Sequence, residues 1–193
     1  MISATLLDAV RFVWRTLEPI GAPMALVGGL ALSAWDRIRA TRDVDILLAI
    51  APADVPAMLE RLTAAGLRLK QSQPISLGPI ELIQALYQPA GAMFEIRIDL
   101  LIASGGFHVQ ALSRSLPLQI PGWDEHIRVV SCEDLILLKL LAGRVIDRVD
   151  VGELLRANAA HLDKIYLLRW ANELQVEPAL REAWNDVFPA QPL

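Results

Sequence analysis

Leu6, Leu7, Val10, Val13, Trp14 and Leu17 recur at helical spacing along residues 4 to 17, and Pro19 and Gly21 stop the segment, which predicts an amphipathic helix. Met24 to Val27 is a short apolar run and reads as a strand. A glycine pair, Gly28-Gly29, then opens a second helix from Leu30 to about Arg37, and Val44 to Ile50 returns as an apolar strand of the buried type. Pro52 to Ala65, ended by Gly66, reads as a second crossover helix. Residues 67 to 70 and 80 to 87 are strand candidates separated by Pro74, Gly78 and Pro79. Phe94 to Ile102 alternates, with Glu95, Arg97 and Asp99 on one face and Phe94, Ile96, Ile98 and Leu100 on the other.

Beyond a proline-marked loop around Pro117 and Pro121 and a short strand near Arg128 to Val130, the pattern turns helical. Ser131 with Asp134 resembles a capping box, and Gly143 is the expected left-handed residue after the helix end. The body of that helix, residues 135 to 141, is apolar all round except for Lys139, which predicts a buried helix. A buried ammonium needs an anion. Asp147 and Asp150 just past the turn are protein candidates, and a nucleotide phosphate is the functional alternative. Trp170, Ala171, Leu174, Leu180 and Trp184 fit amphipathic tail helices that pack in the core or at a subunit interface.

Composition narrows the class. The 193 residues suffice for one substantial domain with a helical extension. A hydrophobic fraction of 54% and a mean hydropathy of +0.39 are high, yet no stretch reaches the roughly 18 uninterrupted apolar residues of a membrane helix. The excess belongs in a core or a partner interface, a homo-oligomer included, and no membrane partner is expected. The N-terminus does not read as a signal peptide, so a cytoplasmic location is expected. Cys132 is the only cysteine, which excludes an intramolecular disulfide and a cysteine-based zinc cage, and it reads as a small buried apolar residue. The net charge of −4 argues against a chain coated in nucleic acid, although Arg37, Arg39 and Arg42 form a local basic group. His108, His126 and His161 lack metal-ligand spacing and read as surface or loop residues.

The densest chemistry is Gly28-Gly29 followed by Asp43-Val44-Asp45. On a strand Asp43 and Asp45 share a face about 6.6 Å apart, a spacing at which hard oxygens can grip one or two Mg²⁺ ions. The glycines can bring backbone N–H groups against phosphates without a Cβ in the way. Asp99, on the polar face of its strand, can join the pair as a third ligand or as a base for an attacking hydroxyl.

These motifs resemble the DNA polymerase β-like nucleotidyltransferase superfamily. The matching residues are Val27-Gly28-Gly29, then Asp43-Val44-Asp45-Ile46 on the following strand. Within it the chain is similar to the AbiE-type nucleotidyltransferase toxins, through Arg42 before the aspartates, Lys139 in the Glu133 to Lys139 run, and the Gly143 to Asp150 run. The resemblance spans roughly residues 24 to 156 and implies an α+β fold. That fold is a polymerase β-like nucleotidyltransferase core with a mixed sheet flanked by helices over residues 1–130, and a C-terminal helical region packed on it over 131–193.

The resemblance also implies roles. Gly28 and Gly29 would cradle the triphosphate, with Arg42 beside it. Asp43 and Asp45 would bind Mg²⁺ or Mn²⁺, with Asp99 as the third acid. Lys139 would meet phosphate, and Asp147 would be a second acidic participant. The expected reaction is transfer of a nucleoside monophosphate from a nucleoside triphosphate to a hydroxyl of an RNA such as tRNA, a protein or a small molecule, with an antitoxin as the partner of a toxin-antitoxin system. One departure is Leu30, where many relatives carry Ser or Thr. Loss of such a hydroxyl bond to phosphate costs about 1–3 kcal/mol. Leu30 and the apolar composition favour a second reading, a catalytically inactive binding or regulatory module that keeps the fold.

Overall fold

The computed structural model describes the chain except residues 1, 2, 38, 78, 79, 104, 121, 122, 125 and 192, and of Leu77 only the backbone. Gly78, Pro79 and Pro121, expected as loop markers, lie outside the described residues.

The expected first helix forms as α1 (Ala4–Leu17), with Ser3 accepting the Leu6 N–H at its start. Strand β1 (Met24–Leu26) leads into α2 (Gly28–Ala31), a single turn continued by a 3₁₀ segment to Trp35. Asp36, at φ 58, then turns the chain back into β2 (Asp43–Leu48), which pairs antiparallel with β1. The segment after the glycine pair is therefore not a crossover, because one helical turn cannot span the sheet and set a parallel neighbour. The next connection is one. Helix α3 (Val55–Ala64) crosses to β3 (Arg68–Leu69).

The remaining strands are β4 (Ile75–Leu77), β5 (Ile80–Tyr87), the central β6 (Ile96–Ala103) and, after α4 (Gly106–Arg114), β7 (Leu116–Gln119) and β8 (His126–Val129). Their order in the sheet is β3-β5-β6-β2-β1-β8-β7, with β4 paired to β5. The sheet is mixed: β2 runs parallel to β6 and β1 to β8, and the other pairings are antiparallel. Pro117, expected in a loop, lies in β7, an edge strand where a missing N–H does least harm. Phe94, expected on the apolar face of a strand, precedes β6 and is 77% exposed.

The two faces of the sheet centre differ in chemistry. Val44, Ile46, Ile98 and Leu100 are fully buried on one face, the side on which Leu7 and Val10 of α1 come against Leu26 and Leu30. The other face carries Asp43, Asp45, Arg97 and Asp99 and is roofed in part by α5 (Cys132–Ala142). Ser131 caps α5 by accepting the Asp134 N–H, and Gly143 at φ +63 ends it. Leu135, Ile136 and Leu137 are fully buried, as an all-round apolar helix requires. Helices α6 (Val145–Asn158) and α7 (Lys164–Glu173) pack on α5, and α8 (Glu177–Val187) packs on α6 and α7. Among the described residues no helix is long and apolar enough to cross a membrane.

Candidate active site

Because β2 and β6 run parallel, Asp45 stands beside Asp99 and Asp43 beside Arg97 on one face. The neighbouring antiparallel strand puts Gln84 next to Asp99, and its Nε2 donates to the Asp99 carboxylate at 3.0 Å. Arg97 donates to Asp43 and brings its Nε to 3.3 Å from Asp99 Oδ2. The same three strands continue with Leu47, Leu101 and Leu82, so the acids end in an apolar wall. A cavity of about 370 Å³ opens there, lined by Gly28, Asp45, Asp99, Lys139, Arg144 and Asp147 together with that wall.

Gly28 is required by geometry. Its φ is +64, and a Cβ would come within 2.0 Å of Asp45 Oδ2 and 2.5 Å of its carboxyl carbon. The adjoining Gly29 N–H donates to the Asp45 carboxylate. Burial first, then the charges of Asp99 and Asp43, push the Asp45 carboxyl up to about 6. Gly28→Ala is accordingly expected to cost about 1–2 kcal/mol in backbone strain. By moving the Asp45 carboxylate it should also cost about 100-fold in catalytic rate. Urea unfolding and an activity assay read the two effects separately, and parental activity would show that the position of Asp45 is not used.

On the roof, Lys139 is 3% exposed and donates to Asp147 at 2.9 Å and to Asp150 at 2.7 Å. Arg144 grips Asp147 with two hydrogen bonds, and Arg39 donates to Asp150 at 3.2 Å. Burial works to raise the Asp147 carboxyl, but the hydrogen bonds from Arg144 and Lys139 outweigh it and hold it below the ordinary carboxylate range. An ammonium has three donors. Two are committed to protein carboxylates, while the residue still lines the cavity wall.

Residues 11–190 match the family described as nucleotidyl transferase AbiEii toxin, Type IV TA system. The chain belongs to the AbiEii family. It is a nucleotidyltransferase. No curated protein matches it in sequence. Among solved structures it is similar in fold to JHP933 from Helicobacter pylori, at 17% identity and a TM-score of 0.53 over 99% of this chain and 83% of that one. A similar likeness joins it to an antigenic nucleotidyltransferase-like protein from Paracoccidioides brasiliensis, at 17% identity and a TM-score of 0.54 over 97% of this chain and 98% of that one. A third is ANT(2'')-Ia in complex with adenylyl-2''-tobramycin, at 14% identity and a TM-score of 0.54 over 94% of this chain and 99% of that one. At such identities the likeness shows the fold, which is the mixed sheet flanked by helices expected of this superfamily.

Within this AbiEii chain the sequence-derived residues divide into two groups. Gly28, Asp45, Asp99, Lys139 and Asp147 meet at the cavity. Asp43 shares the strand face but is held by Arg97. Gly29 faces Thr41, whose Oγ1 would lie 2.6 Å from an added Cβ. Arg42 is exposed and does not line the cavity, whereas Arg39 of the same basic group reaches Asp150. Leu30 is buried in the core beneath α1 and away from the cavity, and the Ser33 hydroxyl donates to the Leu30 carbonyl at 2.7 Å. His108, expected at the surface, is 4% exposed, and burial lowers its pKa. Cys132 is buried as expected, and burial pushes its thiol up to about 12.

Sequence reasoning gave no site role to Gln84, Arg97, Arg144 or the leucine wall. Gln84 and Arg97 become visible only through strand register. Arg144 sits in a recognised run but shows no partner until α6 places it over Asp147.

Proposed function

We propose that this AbiEii protein transfers a nucleoside monophosphate from a nucleoside triphosphate to a hydroxyl of an RNA, protein or small-molecule acceptor, with Mg²⁺ or Mn²⁺. The observation that carries this reading is the pairing of Asp45 with Asp99 beside left-handed Gly28, at a cavity that Lys139 and Arg144 also line. The acceptor hydroxyl gives up its proton to Asp99 or to water, its oxygen forms a bond to the α-phosphorus, the bond from that phosphorus to the bridging oxygen of the β-phosphate breaks, and pyrophosphate leaves.

The donor set fits a divalent cation. Asp45 and Asp99 are hard oxygen ligands side by side, and the raised Asp45 carboxyl marks a place where negative charge lacks compensation. Among the described residues no three metal-ligating side chains already converge on one point, and Asp43 is paired with Arg97. Asp45 and Asp99 would hold the ion, with Asp43 joining them. Bound there, a divalent cation would polarise the α-phosphate and lower the charge on the reacting oxygens.

The chain's own groups account for the rest. Gly28 leaves room at the carboxylates for phosphate oxygens, Lys139 and Arg144 line the cavity with positive charge, and the leucine wall makes it apolar on one side. The third acid, Asp99, is kept in place by Gln84. ANT(2'')-Ia, solved with an adenylylated tobramycin, supports a nucleotide-transfer reaction on this fold and leaves the acceptor of this chain open to RNA, protein or small molecule. An antitoxin partner accords with the toxin family.

Incubation with each of the four α-³²P-labelled nucleoside triphosphates, Mg²⁺ or Mn²⁺, and total RNA, protein extract or aminoglycosides is expected to label one acceptor class. Asp99→Asn should reduce that labelling about 100-fold or more. Absence of label in every combination, from protein shown by circular dichroism to be folded, would overturn the reading.

A further inference from the structure

Among the described residues, Arg97 is the cation that the sheet itself sets between the acids. Cross-strand register puts it beside Asp43, and its position two residues before Asp99 puts it next to that carboxylate too. Its guanidinium donates to Asp43 while its Nε lies 3.3 Å from Asp99 Oδ2. A guanidinium fork can serve two carboxylates at once, whereas a point charge cannot. The second contact is incomplete: Arg97 Nε is buried without an aligned hydrogen bond.

The side chain is also free to leave, because it is 41% exposed, against 13% for Asp99. A departing guanidinium would move into water and lose one strong pair and one misaligned contact. Staying, it would stand within a few ångströms of any ion shared by Asp43 and Asp99, and two positive centres at such range repel strongly in a protein interior.

We propose that Arg97 is an internal counter-cation that holds Asp43 and Asp99 in the absence of metal and must be displaced before a divalent ion can take all three carboxylates. This rests on the reading that Asp43, Asp45 and Asp99 are the metal ligands. Arg97 thus lowers the protein's affinity for the bare ion. In exchange it offsets the mutual repulsion of the acids on adjacent strands.

The test is isothermal titration calorimetry of the full chain with Mn²⁺ at pH 7.5 without nucleotide. Arg97→Gln is expected to bind Mn²⁺ tenfold or more tightly than the parent. Arg68→Gln removes an equal charge from a salt bridge with Glu95 on the same sheet, away from the acids, and should leave affinity unchanged. If Arg97→Gln unfolds, Arg97→Lys keeps the charge without the two-carboxylate fork and should bind severalfold more tightly than the parent. Thermal melts give a second readout: Mn²⁺ should raise the melting temperature of the Arg97 variant more than that of the parent.

Unchanged or weaker binding in the Arg97 variants, with parental binding that is lost in Asp45→Asn, would overturn the inference and leave the proposed function standing. No Mn²⁺ binding in any protein would overturn both. Tighter binding that persists in Arg97→Gln combined with Asp45→Asn would place the ion elsewhere and equally overturn the inference.

Discussion

Lys139→Met is expected to destabilise the protein by about 3–5 kcal/mol, because it leaves two fully buried carboxylates facing an apolar side chain. Asp147 retains Arg144 and Asp150 retains Arg39, so the loss should fall at the lower end of that range. Even so, it is a large share of the roughly 5–15 kcal/mol that holds an ordinary domain together. Urea unfolding followed by circular dichroism measures it. Adding Asp150→Asn to Lys139→Met should recover part of the loss, since it removes one of the stranded charges. A single-variant effect below about 1 kcal/mol would mean that Lys139 is solvated rather than buried between the acids. The same side chain ties α5 to the first turns of α6, where Asp147 and Arg144 line the cavity. Its loss should therefore disturb the cavity wall as well as stability, and activity should fall further than unfolding alone explains.

This buried cluster also separates what local sequence carries from what only the fold supplies. Lys139 on an otherwise apolar helix demands an anion, and Asp147 and Asp150 stand just past the turn as candidates. The structure supplies both at once, and Arg39, about a hundred residues earlier in the chain, completes the cluster. Helix limits are legible where a cap adjoins a clear apolar pattern, whereas the Asp163 cap of α7 has no such pattern to mark it. Residues 4 to 17, Ser131 and Gly143 are read directly from side-chain chemistry and periodicity. Strand membership is legible where alternation is long, as in β6, and in the short apolar run of β1, but not in every short segment. Neither β4 nor β7 was expected, and α4, whose buried face includes His108, carries no recognised start signal.

The candidate site shows the same division. The two glycines and Asp43-Val44-Asp45 lie close together in sequence, so their shared chemistry can be read locally. The pairing of Asp45 with Asp99 depends on parallel register between strands more than fifty residues apart, which alternation alone leaves undetermined. Arg97 stands on the same predicted face as Asp99, yet nothing in the chain around it announces that its guanidinium reaches Asp43. An ion pair across strands has no signature in either strand.

Asp45→Asn is expected to give the largest loss of activity together with a gain in metal-free stability, a combination that a purely structural residue would not produce. The activity loss should be about 10²–10³-fold, the scale of removing one electrostatic contact to a transition state. The stability gain follows from the charge balance. In the folded chain the Asp45 carboxyl sits at about 6, raised by burial and by Asp99 and Asp43 from an ordinary value of 3.8. The folded state thus holds a proton that the unfolded state has released between those two values, so the contribution of protonated Asp45 is complete below pH ~4 and is lost as pH rises through about 6. A rise of that size is worth at most about 3 kcal/mol, and partial exposure with salt screening brings the expected penalty to about 1–2 kcal/mol at pH 7.5. Asn carries no such penalty and can still accept the Gly29 N–H through its amide oxygen. Urea unfolding in EDTA should therefore give nearly coincident stabilities for parent and variant near pH 3.5, below the window, and a more stable variant at pH 7.5. Addition of Mg²⁺ or Mn²⁺ at pH 7.5 should reverse the order, because an ion that binds only the folded parent adds stability by mass action while the variant has lost a ligand. If the parent is the more stable protein at pH 7.5 without metal, or if metal stabilises both proteins alike, Asp45 is not an uncompensated carboxylate awaiting a cation.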